Sequence, residues 1–234
     1  MKTWQTDDPV YVEDLNELVA LGNLTFSSTA ARDSFLVGDL APIQGTVAHV
    51  INDITYRRIT VAGTSYWAPL PGTLICGMTY SSSNSAYLNM NGSGVPTQVP
   101  LTYAKFRNLN NAWSTSTYQF TPTIPGFYEL DGRAFIYNAN TDGYRACWLS
   151  LNGASVATAI PGSWNQLYPV GAEGNSRFTV MTRTVCRYFN GTDGSYVTLM
   201  AMHNMASGTI QLATTGDYTG VPYDCSFTAK YLGL

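Results

Sequence analysis

From residue 73 onward the chain alternates short apolar runs with clusters of turn residues. Candidate strands fall at 73–80, 98–107, 117–120, 126–138, 144–152, 178–189, 195–203, 208–212 and 224–232. Between them lie SSSNS, NGSG, NANTDG, NGAS, FNGTDGS and TTGD, built from residues that favour tight turns. No ten-residue window carries a helical period. Many short strands at regular turn spacing predict an antiparallel sandwich, jelly roll or barrel. In 195–203 both alternating faces are largely apolar: Val197, Leu199 and Ala201 share one, and Tyr196, Met200 and Met202 share the other. A strand apolar on both sides is covered on both sides. In a two-layer fold the expected second cover is another subunit.

Residues 1–72 have a different pattern. Leu15, Leu18 and Val19 recur at i, i+3 and i+4, with Glu13 and Asp14 before them and Gly22 after, which predicts a small helix. A second helical turn is expected in STAARDSF, with Ser28 or Thr29 as N-cap. Three β-like runs follow at 45–51, 55–61 and 64–69, with Asn52-Asp53 and Ala62-Gly63 as the turn pairs. A unit of about 70 residues is small for an independent core, so it is expected to dock on something larger. Pro69-Leu70-Pro71-Gly72 has the composition of a turn or short linker. The expected division is a small helix-plus-β-meander module over 1–72 and an antiparallel β-sandwich over 73–234.

Charge sharpens this division. Residues 1–72 hold four basic and eight acidic residues, whereas 73–234 hold eight basic and seven acidic ones. Over all 234 residues the net charge is −3, with only 12% charged and 45% hydrophobic residues. That hydrophobic content argues against disorder, and the charge gives no electrostatic case for nucleic acid or an anionic membrane. The start, MKTWQTDDP, lacks the apolar stretch of a secretory signal, and the apolar runs are strand-sized, so neither export nor membrane insertion is expected. The four cysteines (76, 147, 186 and 225) form no CxxC and each lies in or beside an apolar run. They are expected to be free and buried.

Candidate chemistry is sparse. His49 and His203 both fall in strands, where a lone histidine is usually structural. No zinc-ligand spacing, nucleophile elbow or phosphate loop occurs, and the carboxylates are scattered, so no enzyme activity and no cofactor or metal is expected. Asp193 and Asp142 sit in turn sequences that suit a hard cation, but such residues more often hydrogen-bond their own backbone. The segment 161–177 lacks a strand pattern yet carries Trp164, Leu167 and Tyr168, with Asn165 and Gln166 among them. Aromatic faces beside amides are the parts that stack on a sugar or receptor. Trp164 and Tyr168 are the expected platforms, with Asn165 and Gln166 as hydrogen-bonding groups. The alternative is that these side chains fold back and cap one end of the barrel.

Two resemblances add to this reading. The segment STAARDSFLVGDLAPIQGTVAHVINDITYRRITVAGTSYWAPLPG resembles a small module common in bacteriophage structural proteins, and DDPVYVEDLNEL resembles the N-termini of phage minor tail proteins; together they cover about residues 5–72. Residues 98–234 resemble the C1q/TNF-like jelly roll. The matching pieces are YQFTPTIPGFYELDGRAFI, CWLSLNG, TVCRYFNGTDGSYVTLMAM and SFTAKYLG. Pro125, Gly126 and Tyr128 stand at its first signature, Asp193 and Gly194 in the turn before the apolar strand, and Phe227 in the last strand. Ala229 and Lys230 depart from that pattern, and the turn is TDGS where the family has Gly-Asp. The resemblances imply a non-enzymatic virion protein, a tail fibre or minor tail component assembled in the host cytoplasm. Residues 1–72 would attach it to other virion proteins, and 73–234 would form a head that touches a host-surface glycan. They also imply a homotrimer, with Tyr196, Met200, Met202 and Phe227 at its interface. A capsid-decorating head fibre, a free-standing glycan-binding lectin and a polysaccharide depolymerase are the competing readings.

Overall fold

A computed structural model describes residues 23–34, 44–50, 53–80, 88–138, 143–168, 176–205, 210–212 and 225–234. The helix expected around Leu15–Val19, and Asp142, lie outside these residues. The chain divides into two compact units between Thr73 and Leu74.

Among the described residues, the smaller unit is one sheet with a short helix. Strand β1 (Asn23–Phe26) leads into helix α1 (Thr29–Ser34), where Ser28 Oγ accepts the Ala31 N–H at 3.1 Å as an N-cap. Strands β2 (Val47–Val50), β3 (Thr55–Val61) and β4 (Thr64–Pro69) follow, in sheet order β1-β2-β3-β4. The meander β2-β3-β4 is antiparallel, but β1 pairs with β2 in parallel. A parallel pair needs a crossover, and α1 lies in that connection. The sequence pattern contains no sign of β1, because NLTF is too short to establish a period. Phe26, Ala48, Val50 and Tyr56 form the core. Arg32 is buried over it, its guanidinium 4.1 Å from the Tyr56 ring centroid and paired with Asp33 at 2.7 Å. Planar, weakly hydrated guanidinium suits such a stacked site.

The larger unit is an antiparallel β-sandwich of jelly-roll type. Its strands are β5 (Leu74–Thr79), β6 (Leu88–Asn89), β7 (Thr97–Gln98), β8 (Tyr103–Asn108), β9 (Trp113–Ser114), β10 (Gln119–Phe120), β11 (Gly126–Asn138), β12 (Arg145–Leu151), β13 (Asn165–Leu167), β14 (Ser176–Met181), β15 (Val185–Phe189), β16 (Val197–His203), β17 (Gln211–Leu212) and β18 (Ser226–Gly233). One sheet runs β13-β12-β16-β10-β9, with β7 also on β16. The other runs β6-β17-β11-β18-β5-β8, with β14 and β15 both pairing β11. Between the sheets pack Phe120, Tyr128, Leu130, Ile136, Leu149, Leu199, Phe227 and Tyr231. Phe227 lies 5.0 Å from Trp113 and 5.5 Å from Phe120 between ring centroids.

Several strands expected as single pieces are divided. The run 98–107 separates into β7 and β8, which belong to different sheets, with Val99 and Leu101 buried at the corner. The run 178–189 is interrupted after Met181. There Thr182 leaves the ladder: its N–H donates to Gly132 O, and its hydroxyl accepts the Gly132 N–H at 2.9 Å. A side chain at Gly132 would be crowded here, because a Cβ would meet the Leu199 methyl across the core and force it to shift.

Three corrections concern packing. Cys76, Cys147 and Cys225 are buried, as their apolar neighbours led one to expect, but Cys186 is exposed; all four are free thiols. Alternation turns Cys186 to the outer face of its strand, while Val185 and Phe189 face the core. The second face of β16 is covered within the single chain. Met200 and Met202 are only 1% and 5% exposed, packed with Trp148 and flanked by Tyr144, Ala159 and Trp164. Phe227 is fully buried between the sheets. Met200, Met202 and Phe227 are therefore not available to a second subunit as interface residues, and Tyr196, half-buried, does not form an apolar patch with them.

Candidate functional site

The cover over β16 is the segment after β12, which returns along the β12 edge. Ser150 and Thr158 hydroxyls hydrogen-bond at 2.5 Å, Thr198 Oγ1 donates to Gly153 O at 3.0 Å, and Ile160 N–H donates to Leu149 O at 2.8 Å. The returning chain then forms β13, pairing Asn165, Gln166 and Leu167 with Cys147, Ala146 and Arg145. The expectation that 161–177 has no strand is thus corrected at 165–167: neighbouring β12, not local pattern, supplies the partner.

Pairing to β12 fixes side-chain direction by the period of two. Asn165 shares the side of Cys147 and donates from Nδ2 to Met181 O at 2.8 Å, so its amide is used within the fold. Trp164, Gln166 and Tyr168 share the opposite side. Trp164 stacks on Trp148 with ring centroids 4.7 Å apart and 28° between planes, an arrangement worth about 1 kcal/mol beyond area burial. Its Nε1 donates to Gln166 Oε1 at 3.3 Å, and Gln166 Nε2 donates to the Tyr168 hydroxyl at 3.1 Å. Tyr168 is 62% exposed and meets Tyr144 edge-on at 6.0 Å. The result is a ridge graded from a half-buried indole, through an amide, to an exposed phenol.

The structure therefore brings together three of the four residues expected at this site and sends Asn165 elsewhere. Trp164 is a foundation, not a free platform; Tyr168 presents the open aromatic surface, with half-buried Tyr144 against its edge. Sequence reasoning missed Tyr144 and Trp148. Tyr144 becomes a neighbour only through the pairing of β12 with β13, and Trp148 reads as an ordinary strand residue.

Elsewhere the polar residues serve local structure. Asp193 accepts the Ser195 N–H at 2.9 Å and Asn190 accepts those of Thr192 and Asp193, so this turn satisfies its own backbone. His49 Nδ1 lies 3.2 Å from Thr55 Oγ1 on the sheet surface. His203 is buried, with Nε2 2.8 Å from Asn91 O, and Nδ1 accepts the Met205 N–H at 3.3 Å. Burial pushes its pKa below the ordinary 6.5; the Asn91 contact opposes this and buried Arg145 adds to it. Among the described residues no group of three or more His, Cys, Asp and Glu side chains gathers in metal-binding spacing. No helix among them is long and apolar enough to cross a membrane.

No family model matches the chain, and no curated protein matches it in sequence. Among solved structures it is similar to Eiger TNF from S. frugiperda, at 8% identity and a TM-score of 0.45, over 69% of this chain and 94% of that one. The architecture of this chain, a small mixed unit followed by an antiparallel jelly-roll sandwich, rests on its own strand pairing.

Proposed function

We propose that the chain is a non-enzymatic structural component of a bacteriophage particle, a tail-fibre or minor tail protein whose β-sandwich contacts the host surface. The phage reading is supported by the order of motifs across residues 5–72. The contact reading is carried by one observation: a ridge in which exposed Tyr168, beside half-buried Tyr144 and Gln166, stands on the Trp148–Trp164 stack. In a chain with so little charge, recognition falls to aromatic faces and amides. Residues 1–72 are the attachment module and other virion proteins are its partners.

A homotrimer belongs to this reading, its number supported by the resemblance of residues 98–234 to C1q/TNF-like domains. With β16 covered internally, the proposed contact is β8, at the end of its sheet. There Tyr103 is exposed and Phe106 is 70% exposed. An edge strand bearing large apolar side chains invites another chain.

Peptides of this chain should be found at structural stoichiometry in purified particles, and imaging of those particles should place it on the tail. Absence from particles, together with saturable sugar binding by the isolated protein, would favour the free-standing lectin. Density on capsomers would favour the head fibre. Tyr168→Ala should reduce adsorption to host cells at least tenfold without changing the melting temperature; unchanged adsorption removes the ridge from function.

A further inference from the structure

A second surface of the sandwich has the chemistry of a binding site. On β11 the even residues from Tyr128 to Ile136 face the core, so Phe127, Glu129, Asp131 and Arg133 face outward. On β18 the outward residues are Ser226, Thr228, Lys230 and Leu232. Where β11 exchanges β15 for β14, the departure of Thr182 from the ladder leaves a gap in the outer face. A pocket of about 170 Å³ occupies it, lined by Asp131, Gly132, Arg133, Met181, Ser226 and Thr228.

The pocket's carboxylate is partly buried. Burial pushes the Asp131 pKa up, while hydrogen bonds from the Gly132 backbone and the Thr182 hydroxyl, and the charge of Arg133, oppose it. Thr182 Oγ1 also accepts the Gly132 N–H at 2.9 Å. The hydroxyl beside Asp131 is thus itself fixed by the backbone that makes the gap.

The geometry points to a saccharide subsite: a single sugar unit held by its hydroxyls between Asp131 and the Ser226 and Thr228 side chains. An ionised carboxylate has acceptor lone pairs for two adjacent hydroxyls, and a guanidinium donates to others. One carboxylate beside one guanidinium leaves the pocket without net charge, which suits a neutral polyol better than a bare cation or anion. Met181, half-exposed, offers a polarizable apolar wall for the C–H face of a sugar ring. The volume is below the ~300–1,000 Å³ of pockets that engulf larger ligands, so one unit of a glycan fits, not a chain. Beyond the Glu129–Lys230 ion pair, in the direction of Leu232, lie Phe127 and Tyr188, edge-on at 5.3 Å and both exposed. They offer a stacking surface for further units. The site is separate from the β13 ridge and does not require the virion reading.

The test is ligand-observed saturation-transfer NMR on the full chain, with the methyl α-glycosides of glucose, galactose and mannose and with N-acetylglucosamine as probes. At least one probe should saturate at millimolar concentration. Asp131→Asn, which keeps side-chain volume, should weaken it at least tenfold. Thr228→Val should do the same, and supplies the reading if Asp131→Asn lowers the melting temperature. Tyr168→Ala should leave this binding unchanged. Binding that is lost in Tyr168→Ala and kept in both pocket variants would belong to the β13 ridge and overturn the inference. The inference is overturned if no probe saturates, or if both pocket variants bind like the parent. It is equally overturned if Asp131→Lys converts an assembled protein to monomer, since the pocket is then an interface between copies. Absence of the chain from phage particles would defeat the proposed function and leave this result untouched.

Discussion

Position dominates chemistry at Gly132. It lies on the inward face of β11 under Leu199 and Leu149, and its backbone anchors Thr182 on both its donor and acceptor sides. Gly132→Ala should destabilise the sandwich by about 1–3 kcal/mol, the cost of overpacking a filled core, measured as a lower urea midpoint with unchanged slope. His203 acts through its proton. As a neutral imidazole it joins the 91–94 turn to the end of β16, since Nε2 meets Asn91 O and the Gly94 N–H donates to His203 O at 2.7 Å. A proton on Nδ1 would remove the Met205 bond and set a second cation beside buried Arg145. With the folded pKa depressed below 6.5, both states are neutral above that value and stability is full. As pH falls below it the unfolded chain takes up the proton first, so stability declines until the folded pKa is passed. Melting temperature should fall between pH 7 and 5 more steeply for the parent than for His203→Gln; parallel profiles would remove His203 from the acid response.

At the scale of elements, strand identity depends on partners. β13 has three residues and no alternating pattern, yet pairing with β12 aims Trp164 and Gln166 to one side and Asn165 to the other. Trp164→Ala therefore tests an element, not a binding contact. It removes one half of the Trp148 stack and uncovers Met200 and Met202, so it should lower stability by about 3 kcal/mol, in the range for aromatic truncation in cores, as read from denaturant melts. A variant that melts like the parent would mean that the indole contributes nothing to the cover. The β8 edge is tested in the opposite way. Phe106→Lys adds charge to an exposed position and should dissociate the proposed trimer into monomers in sedimentation while preserving the fold. An unchanged oligomer would place the contact elsewhere.

For the whole molecule, the boundary between Thr73 and Leu74 separates two units with their own cores. The fragment 73–234 should fold alone into β-protein, because the residues between its sheets all come from within it. Aggregation of the fragment alongside a folded full chain would mean that the two units depend on one another for stability. Expression of 1–72 alone should yield a marginal fold, since so short a chain buries a smaller fraction of its surface than a larger domain does.

The sequence by itself determined what is local. Period-two alternation specified β11 over 126–138 to the residue and β3 and β4 over 55–61 and 64–69. A cap at Ser28 or Thr29 was legible before the helix, the structure using Ser28, and turn clusters separated most strands, because caps and turns depend on residues a few positions apart. The tertiary structure alone decided what depends on distant neighbours. Nothing within 195–203 tells whether the second apolar face of β16 meets another subunit or residues 144–164 of its own chain; that depends on where the segment after β12 returns. For the same reason one run became β14 and β15, since Thr182 follows Gly132, fifty positions earlier, not its own alternation. The aromatic ridge was legible as composition, while its direction, its foundation on Trp148 and the pocket at Asp131 came from strand register. Register is set by which strands meet across the sheets, and a shift of one residue would turn each of those side chains to the other face.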